Sequence, residues 1–481
     1  MSRDKVASGI AGLDQVLDGG FPRNRITLVE GAPGTGKTTV GLQFMLAAAE
    51  RGERALFFSV AQSEGELRMI AESHGMDLSK IWVRSSEIDE RPEDSAISVD
   101  SSESSLAQLV HDVTEAINTV KPDVMVFDSL LELRLLSSGS VAYRQNLLAL
   151  RQQIRQAEVT ALLLDHVADD PASGHEQGIL HGVLKLEAIL PPIGSMHRRL
   201  SVVKMRGSKF REGYHDFRIR SGGVSVFPRI VPSENDRGSV TLEQLGIEDE
   251  TLSRMLGGGL EFGTTALIAG QAGSGKSTLS TLFARQAALQ GKEAALFLFE
   301  ERPEIFQARS SSLGMPLEES MKSGNLSLRH YDPTEVSPGE FCRDVVAAVE
   351  HGARVVVIDS LTGYLNALPD RDNVLTHLHT LLQYLARQGC LVLVTLAQKG
   401  LLGEPPVSEL ETSYLADSVI ILRQYAHRSQ IRRSIAVLKK RHSVHERGIQ
   451  ELVIRPGAVE VIELSPEAAE SAQAAQEMTG A

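Results

Sequence analysis

The chain has 481 residues, 42% of them hydrophobic, and carries 62 acidic against 49 basic side chains for a formal charge of −13. That length predicts two domains with sizeable cores, and that acidity excludes a protein whose main affinity comes from clustered Lys and Arg on nucleic acid phosphates. Its two cysteines, Cys342 and Cys390, are too few for a disulfide framework and lack the Cys/His spacing of a zinc site, so both are expected as core thiols in a reducing cytosol.

A glycine-rich turn, Leu17-Asp18-Gly19-Gly20-Phe21, precedes an apolar strand at 26–30. That strand runs into Gly31-Ala32-Pro33-Gly34-Thr35-Gly36-Lys37-Thr38, with Thr39 next. Strands rich in Val, Ile, Leu and Phe follow at 55–60, 124–128 and 160–164, with helical stretches between them. Residues 87–105, acidic and serine-rich, read as a solvated loop. Lys204-Met205-Arg206-Gly207 closes this half on an expected edge strand, and residues 228–241, with Pro228, Pro232, Asn235, Asp236 and Gly238, read as a linker.

The pattern then starts again. Leu256-Gly257-Gly258-Gly259-Leu260 precedes a strand at 265–269 and the loop Gly270-Gln271-Ala272-Gly273-Ser274-Gly275-Lys276-Ser277, with Thr278 next. Strands at 295–299, 355–359 and 391–396 follow, and Lys439-Lys440-Arg441 closes the copy. The two copies are offset by 239 residues at the glycine loops, 231 at Asp128 and Asp359, and 235 at Lys204 and Lys439. Landmarks in one order at nearly one offset indicate a duplicated domain, since solenoid repeats run only ~20–50 residues. The expected organisation is a first domain at 1–230, a linker at 231–241, a second domain at 242–464 and a disordered acidic tail at 465–481. Continuous apolar strands separated by helices predict an α/β fold in both copies, each a mostly parallel sheet covered by helices on both faces. The first residues hold no apolar signal segment, and no apolar run approaches the ~20 residues of a membrane span, so a soluble, cytoplasmic protein without membrane contact is expected.

Glycines at this spacing let backbone N–H groups turn inward around a polyphosphate, and the following helix N-terminus adds positive potential. Gly31, Gly34, Thr35, Gly36, Lys37, Thr38 and Thr39 form one such site, and Gly270, Gly273, Ser274, Gly275, Lys276, Ser277 and Thr278 the other. Lys37 and Lys276 reach the outer phosphates, while Thr38 and Ser277 hold Mg²⁺. Asp128 and Asp359, each ending an apolar strand and followed by serine, supply the second metal-side group. ATP and Mg²⁺ are therefore the expected ligands.

With these features the chain resembles the KaiC family of tandem RecA-like P-loop ATPases over roughly residues 8–464. The resemblance implies self-assembly into a hexameric ring whose state is read by unidentified protein partners. It also implies that a Glu-Glu pair after the second strand activates the attacking water or an accepting hydroxyl. Glu300 and Glu301 match that pair, whereas the first copy reads Ala61-Gln62. A carboxamide cannot accept the proton, so the resemblance and the chemistry together predict hydrolysis mainly in the second domain. On the residues alone, Glu300 and Glu301 also read as a solvated helix start favoured by the helix dipole. Glu64 is a further carboxylate in the first copy, on the exposed start of the next helix.

The resemblance further implies that Lys204, Arg206, Lys439 and Arg441 reach into the nucleotide of the next subunit as sensor and arginine finger. On the residues alone they also read as edge-strand charge that blocks aggregation. The family's autokinase activity would place phosphate on Ser413 or Thr412, ahead of Asp417, with Tyr414 where the family has threonine. His181 stands where the first copy would carry that Asp. A nucleic-acid motor is the alternative for RecA-like domains, but one Trp, seven Tyr and the acidic total give it thin support.

Overall fold

A computed structural model describes residues 4–60, 62–86, 99–166, 175–191, 194–232, 243–366, 371–397 and 415–477. The chain divides into two compact units, Met1–Arg229 and Ile230–Ala481. The first is built on a nine-stranded sheet. Its strands are β1 (Ile26–Gly31), β2 (Ala55–Ser59), β3 (Trp82–Ser85), β4 (Val124–Asp128), β5 (Thr160–His166), β6 (Gly182–Ile189), β7 (His197–Met205), β8 (His215–Arg220) and β9 (Gly223–Phe227). Their order is β9-β8-β7-β6-β1-β5-β4-β2-β3. The run from β6 to β3 is parallel, and β7, β8 and β9 add antiparallel to one edge. Helices α1 (Lys37–Glu50), α2 (Glu64–Ser73), α3 (Val99–Val120), α4 (Leu130–Leu135) and α5 (Ser140–Gln156) connect the strands.

The second unit repeats this plan with β10 (Thr265–Gly270), β11 (Ala294–Leu298), β12 (Leu326–His330), β13 (Val355–Asp359), β14 (Leu391–Ala397), β15 (Ser418–His427), β16 (Gln430–Lys440), β17 (Gln450–Arg455) and β18 (Ala458–Ile462). Their order, β12-β11-β13-β14-β10-β15-β16-β17-β18, is that of the first sheet strand for strand. Its helices include α6 (Lys276–Leu289), α7 (Pro303–Ser312), α8 (Pro338–Glu350), α9 (Leu361–Asn366), α10 (Arg371–Arg387) and α11 (Pro466–Glu477).

The sequence dictates this layering. Every residue of β2, β11 and β13 is buried, which a strand achieves only when helices cover both faces of its sheet. The two sides form separate apolar clusters, with Phe57, Val126 and Leu164 facing one layer and Leu56, Phe58 and Phe127 the other. Helix α1 packs on the sheet with Val40, Leu42, Phe44, Met45 and Ala48 buried, and of its residues only Glu50 is exposed. The second unit is divided in the same way, with Ala294, Leu296 and Leu298 on one side and Ala295, Phe297 and Phe299 on the other. Cys342 and Cys390 are buried thiols outside any disulfide, as a core role requires.

Two expectations are corrected. The solvated loop read over 87–105 does not extend that far, because α3 is already helical from Val99. Apolar residues at Leu109, Val113, Ala116, Ile117 and Val120 anchor that helix to the core. Residues 87–98 lie outside the described segments. The tail read as disordered is helical over Pro466–Glu477, where Ala468 and Ala472 pack on Tyr425. Alanine supplies strong helix propensity, and its small side chain suffices where an aromatic ring provides the opposing surface.

Candidate active sites

Both glycine loops stand at the carboxyl end of the central parallel strand, the end of an open α/β sheet where ligands bind. Gly36 and Gly275 cap α1 and α6 with φ of 101° and 104°, a left-handed conformation that a Cβ would strain. This turn aims the first free N–H groups of each helix into the loop.

In the first domain the Lys37 ammonium donates to the carbonyls of Gly31 (2.7 Å) and Ala32 (3.1 Å) and lies 3.5 Å from His166 Nδ1. Burial lowers the Lys37 pKa, while Asp128 and Asp165 oppose that shift. Thr38 Oγ1 donates to Asp128 Oδ2 at 2.9 Å. Burial raises the Asp128 pKa, against the pull of the Thr38 bond, and the neighbouring charge of Glu132 adds to the rise. A cavity of about 550 Å³ opens here, with Lys37, Thr38, Gln62, Asp128, His166 and Arg198 among its walls. Burial and the Lys37 charge hold His166 below its ordinary pKa, with Glu132 opposing. Gln62 occupies the cavity with a buried Oε1 that has no hydrogen-bond partner among the described residues. Glu64 instead lies at the exposed start of α2, paired with Arg68 at 2.6 Å. Ser129, which also lines the cavity, precedes α4, and its Oγ donates to Glu132 Oε2 in the first turn of that helix at 2.7 Å.

In the second domain Lys276 donates to the Gln271 carbonyl at 2.8 Å, and burial lowers its pKa against the charges of Asp359 and Glu300. Burial raises the Asp359 pKa, opposed by hydrogen bonds from Thr395 and Ser277. The two glutamates differ in setting. Glu300 Oε1 accepts the Ser360 hydroxyl and faces Lys276 and Asp359. Glu301 is clamped by the Arg309 guanidinium at 2.9–3.2 Å, and Arg309 also reaches Thr278 Oγ1 at 3.3 Å. Glu300 therefore points toward the phosphate loop, while Glu301 braces the start of α7.

The strand-end cations occupy matching places. Lys204 pairs in register with Val183 and, across it, Leu28, and Lys439 with Val419 and Leu267. Each lies three residues, about 10 Å along the strands, before the last residue of its central strand and two strands across from it. Arg206 donates to the Gly178 carbonyl at 3.0 Å, and Arg441 lies 3.5 Å from Asp417. His181 replaces that aspartate in the first domain, and burial together with Arg25, Arg151, Arg206 and Lys204 lowers its pKa. Ser413 and Thr412 lie outside the described residues, as does Ala61.

Sequence reading missed three residues at the first site. Glu132 and His166 belong to no motif, and Arg198 lies far from the loop in sequence, although β7 brings it to the cavity wall. Aligning the two copies offers a signal for Glu132, because glycine, Gly363, stands at the matching place.

No group of three or more His, Cys, Asp or Glu among the described residues could by itself hold a metal ion, and no described helix is long and apolar enough to cross a membrane. The paired hydroxyl and carboxylate beside each glycine loop suit an ion that also takes phosphate and water ligands. Two such loops on duplicated sheets of one strand order define a tandem P-loop ATPase. The chain belongs to the KaiC ATPase family, whose model matches residues 6–230 and again 244–466. It is similar to the circadian clock protein KaiC3 of Synechocystis, 26% identical over 94% of this chain and 90% of that protein. The circadian clock oscillator protein KaiC of Parathermosynechococcus lividus is also 26% identical, over 95% of this chain and 85% of that protein. For the circadian clock protein KaiC2 of Synechocystis the identity is again 26%, over 96% and 82%.

Proposed function

We propose that this chain is a KaiC-like, Mg²⁺-dependent ATPase that assembles head to tail into a hexameric ring, hydrolyses ATP mainly in its second domain and signals its nucleotide state to protein partners. The observation that carries the division of labour is the placement of Glu300. It faces Lys276 and Asp359 from the position where the first domain has alanine. Thr38 with Asp128, and Ser277 with Asp359, would hold Mg²⁺, which neutralises charge on the outer phosphates. Lys276 and the backbone N–H groups of its loop bind the β- and γ-phosphates. Glu300 orients a water and takes its proton as the water oxygen bonds to the γ-phosphorus. The bridging P–O bond breaks, and its electron pair leaves with ADP.

The Lys204, Arg206, Lys439 and Arg441 positions, displaced from their own loops, support action on a neighbouring subunit's nucleotide. A finger supplied in trans is worth about 10³–10⁵ in rate. The same second-domain site is proposed to transfer phosphate to Ser413 or Thr412, tested by intact mass after incubation with Mg-ATP in wild type and Glu300→Gln. The main test is ATP turnover of Glu300→Gln at unchanged oligomer mass. Loss of a general base costs ~10²–10⁴-fold at one site, so turnover should fall to the first domain's own rate. Retention of more than about half of wild-type turnover would refute second-domain dominance.

A further inference from the structure

The first domain has no carboxylate at 61 or 62, yet a carboxylate from another element accepts from the equivalent serine. Ser129 and Ser360 occupy the same place, each directly after the aspartate that ends β4 or β13. In the second domain Ser360 Oγ donates to Glu300 Oε1. In the first, Ser129 Oγ donates to Glu132 Oε2 at 2.7 Å. The counterpart of Glu132 is Gly363, and a Cβ built there would lie 3.3 Å from Phe299 Cβ, 3.7 Å from Glu300 Cγ and 3.8 Å from Glu300 Oε1. A side chain entering from this point of the helix thus starts in van der Waals contact with the place that Glu300 fills. The two domains thus carry two arrangements around the same serine: glycine on the helix with glutamate on the loop, or glutamate on the helix with alanine on the loop. Glu132 also acts electrostatically on Asp128 and His166, both of which wall the cavity beside Lys37.

We propose that Glu132 is the water-activating carboxylate of the first domain, delivered from α4 instead of from the loop after β2. This rests on the reading of the chain as an ATPase. In the step it serves, a water oxygen bonds to the γ-phosphorus while Glu132 accepts the water's proton. The bond to the bridging oxygen breaks, and ADP departs with its electrons. Ser129 is a positioning residue that fixes one carboxylate oxygen of Glu132 and leaves the other for water.

The test uses the full chain in a Glu300→Gln background, where second-domain hydrolysis is suppressed. Adding Glu132→Gln is expected to lower the remaining turnover ~10²-fold or more. Binding of a fluorescent ATP analogue should stay within about twofold, and nucleotide released from the acid-quenched protein should shift from ADP to ATP, since the missing group acts after binding. Moving the carboxylate back to the loop, with Glu132→Gly plus Ala61→Glu, should restore turnover to within about tenfold of the Glu300→Gln parent. Unchanged residual turnover on adding Glu132→Gln overturns the proposal while leaving second-domain dominance intact. Loss of nucleotide binding together with turnover also overturns it, because it assigns Glu132 to folding or binding. If Glu300→Gln alone keeps wild-type turnover, second-domain dominance fails, and Glu132→Gln in the same background still decides this proposal.

Discussion

The two domains share a strand order, a glycine loop and the hydroxyl-to-aspartate pair beside it, and they differ where water would be activated. Phosphate is gripped largely by backbone, so any sequence that keeps the glycines and the left-handed cap keeps the grip. A proton acceptor is a side chain, and its origin can change whenever two elements border the same space. The difference between the copies is thus concentrated in the part of the site that the backbone does not determine.

The contrast is broken most completely by removing the phosphate lysine. If ATP in the first domain holds subunits together, Lys37→Ala should leave mostly monomers at ATP concentrations that keep wild type oligomeric, while Lys276→Ala keeps its mass. Light scattering with ATP present separates the cases, and an unchanged assembly in Lys37→Ala would contradict the structural role of that nucleotide.

Acid sharpens the comparison through His215, buried at the start of β8 with its pKa lowered to about 4 from 6.5, chiefly by burial. Its Nδ1 accepts from the Arg229 N–H at 2.9 Å and its Nε2 lies 3.0 Å from the Arg211 carbonyl, a pattern that only the neutral ring satisfies on both sides. The unfolded chain binds this proton from pH 6.5 downward and the folded one only near 4, so the contribution is full above 6.5 and is lost as pH falls toward 4. The loss is of order 3 kcal/mol. Gln450 holds the matching place in the second domain and does not titrate. Thermal unfolding followed between pH 7 and pH 4.5, values spanning this window, should show the first domain losing stability faster, and His215→Gln should flatten its slope.

A smaller effect is expected at Glu301. Its bond to Arg309 is about a quarter to a third exposed on each side, so it shapes the site more than it reacts. Glu301→Gln should lower turnover only about tenfold, well short of the loss for a general base. Equal losses for Glu300→Gln and Glu301→Gln would show that the two act as one unit.

The strands and glycine loops were legible because each is a local pattern: short runs of apolar residues, or glycines at fixed intervals ending in Lys37 and Lys276. Duplication made them more legible still. Glu132 was not, because its meaning depends on a hydroxyl three residues earlier and on a strand, β2, more than seventy residues away. The roles of Glu300 and Glu301 looked alike in sequence and parted only because Arg309, in the last turn of α7, claims one of them. Helix α11 escaped notice because its alanines carry no apolar period of their own, and only Tyr425 makes them a packing face.

That helix holds to β15 through Ala468 and Ala472 on Tyr425, a contact of Ser471 with His427 at 3.0 Å and an exposed pair between Glu467 and Arg428. So small an apolar seam secures little free energy compared with the core of the sheet. Its amides should therefore exchange with deuterated solvent long before those of β15, and a protease should trim it while the strand beneath stays protected. The second domain carries, in effect, a detachable cover whose removal exposes Tyr425 without unravelling the sheet.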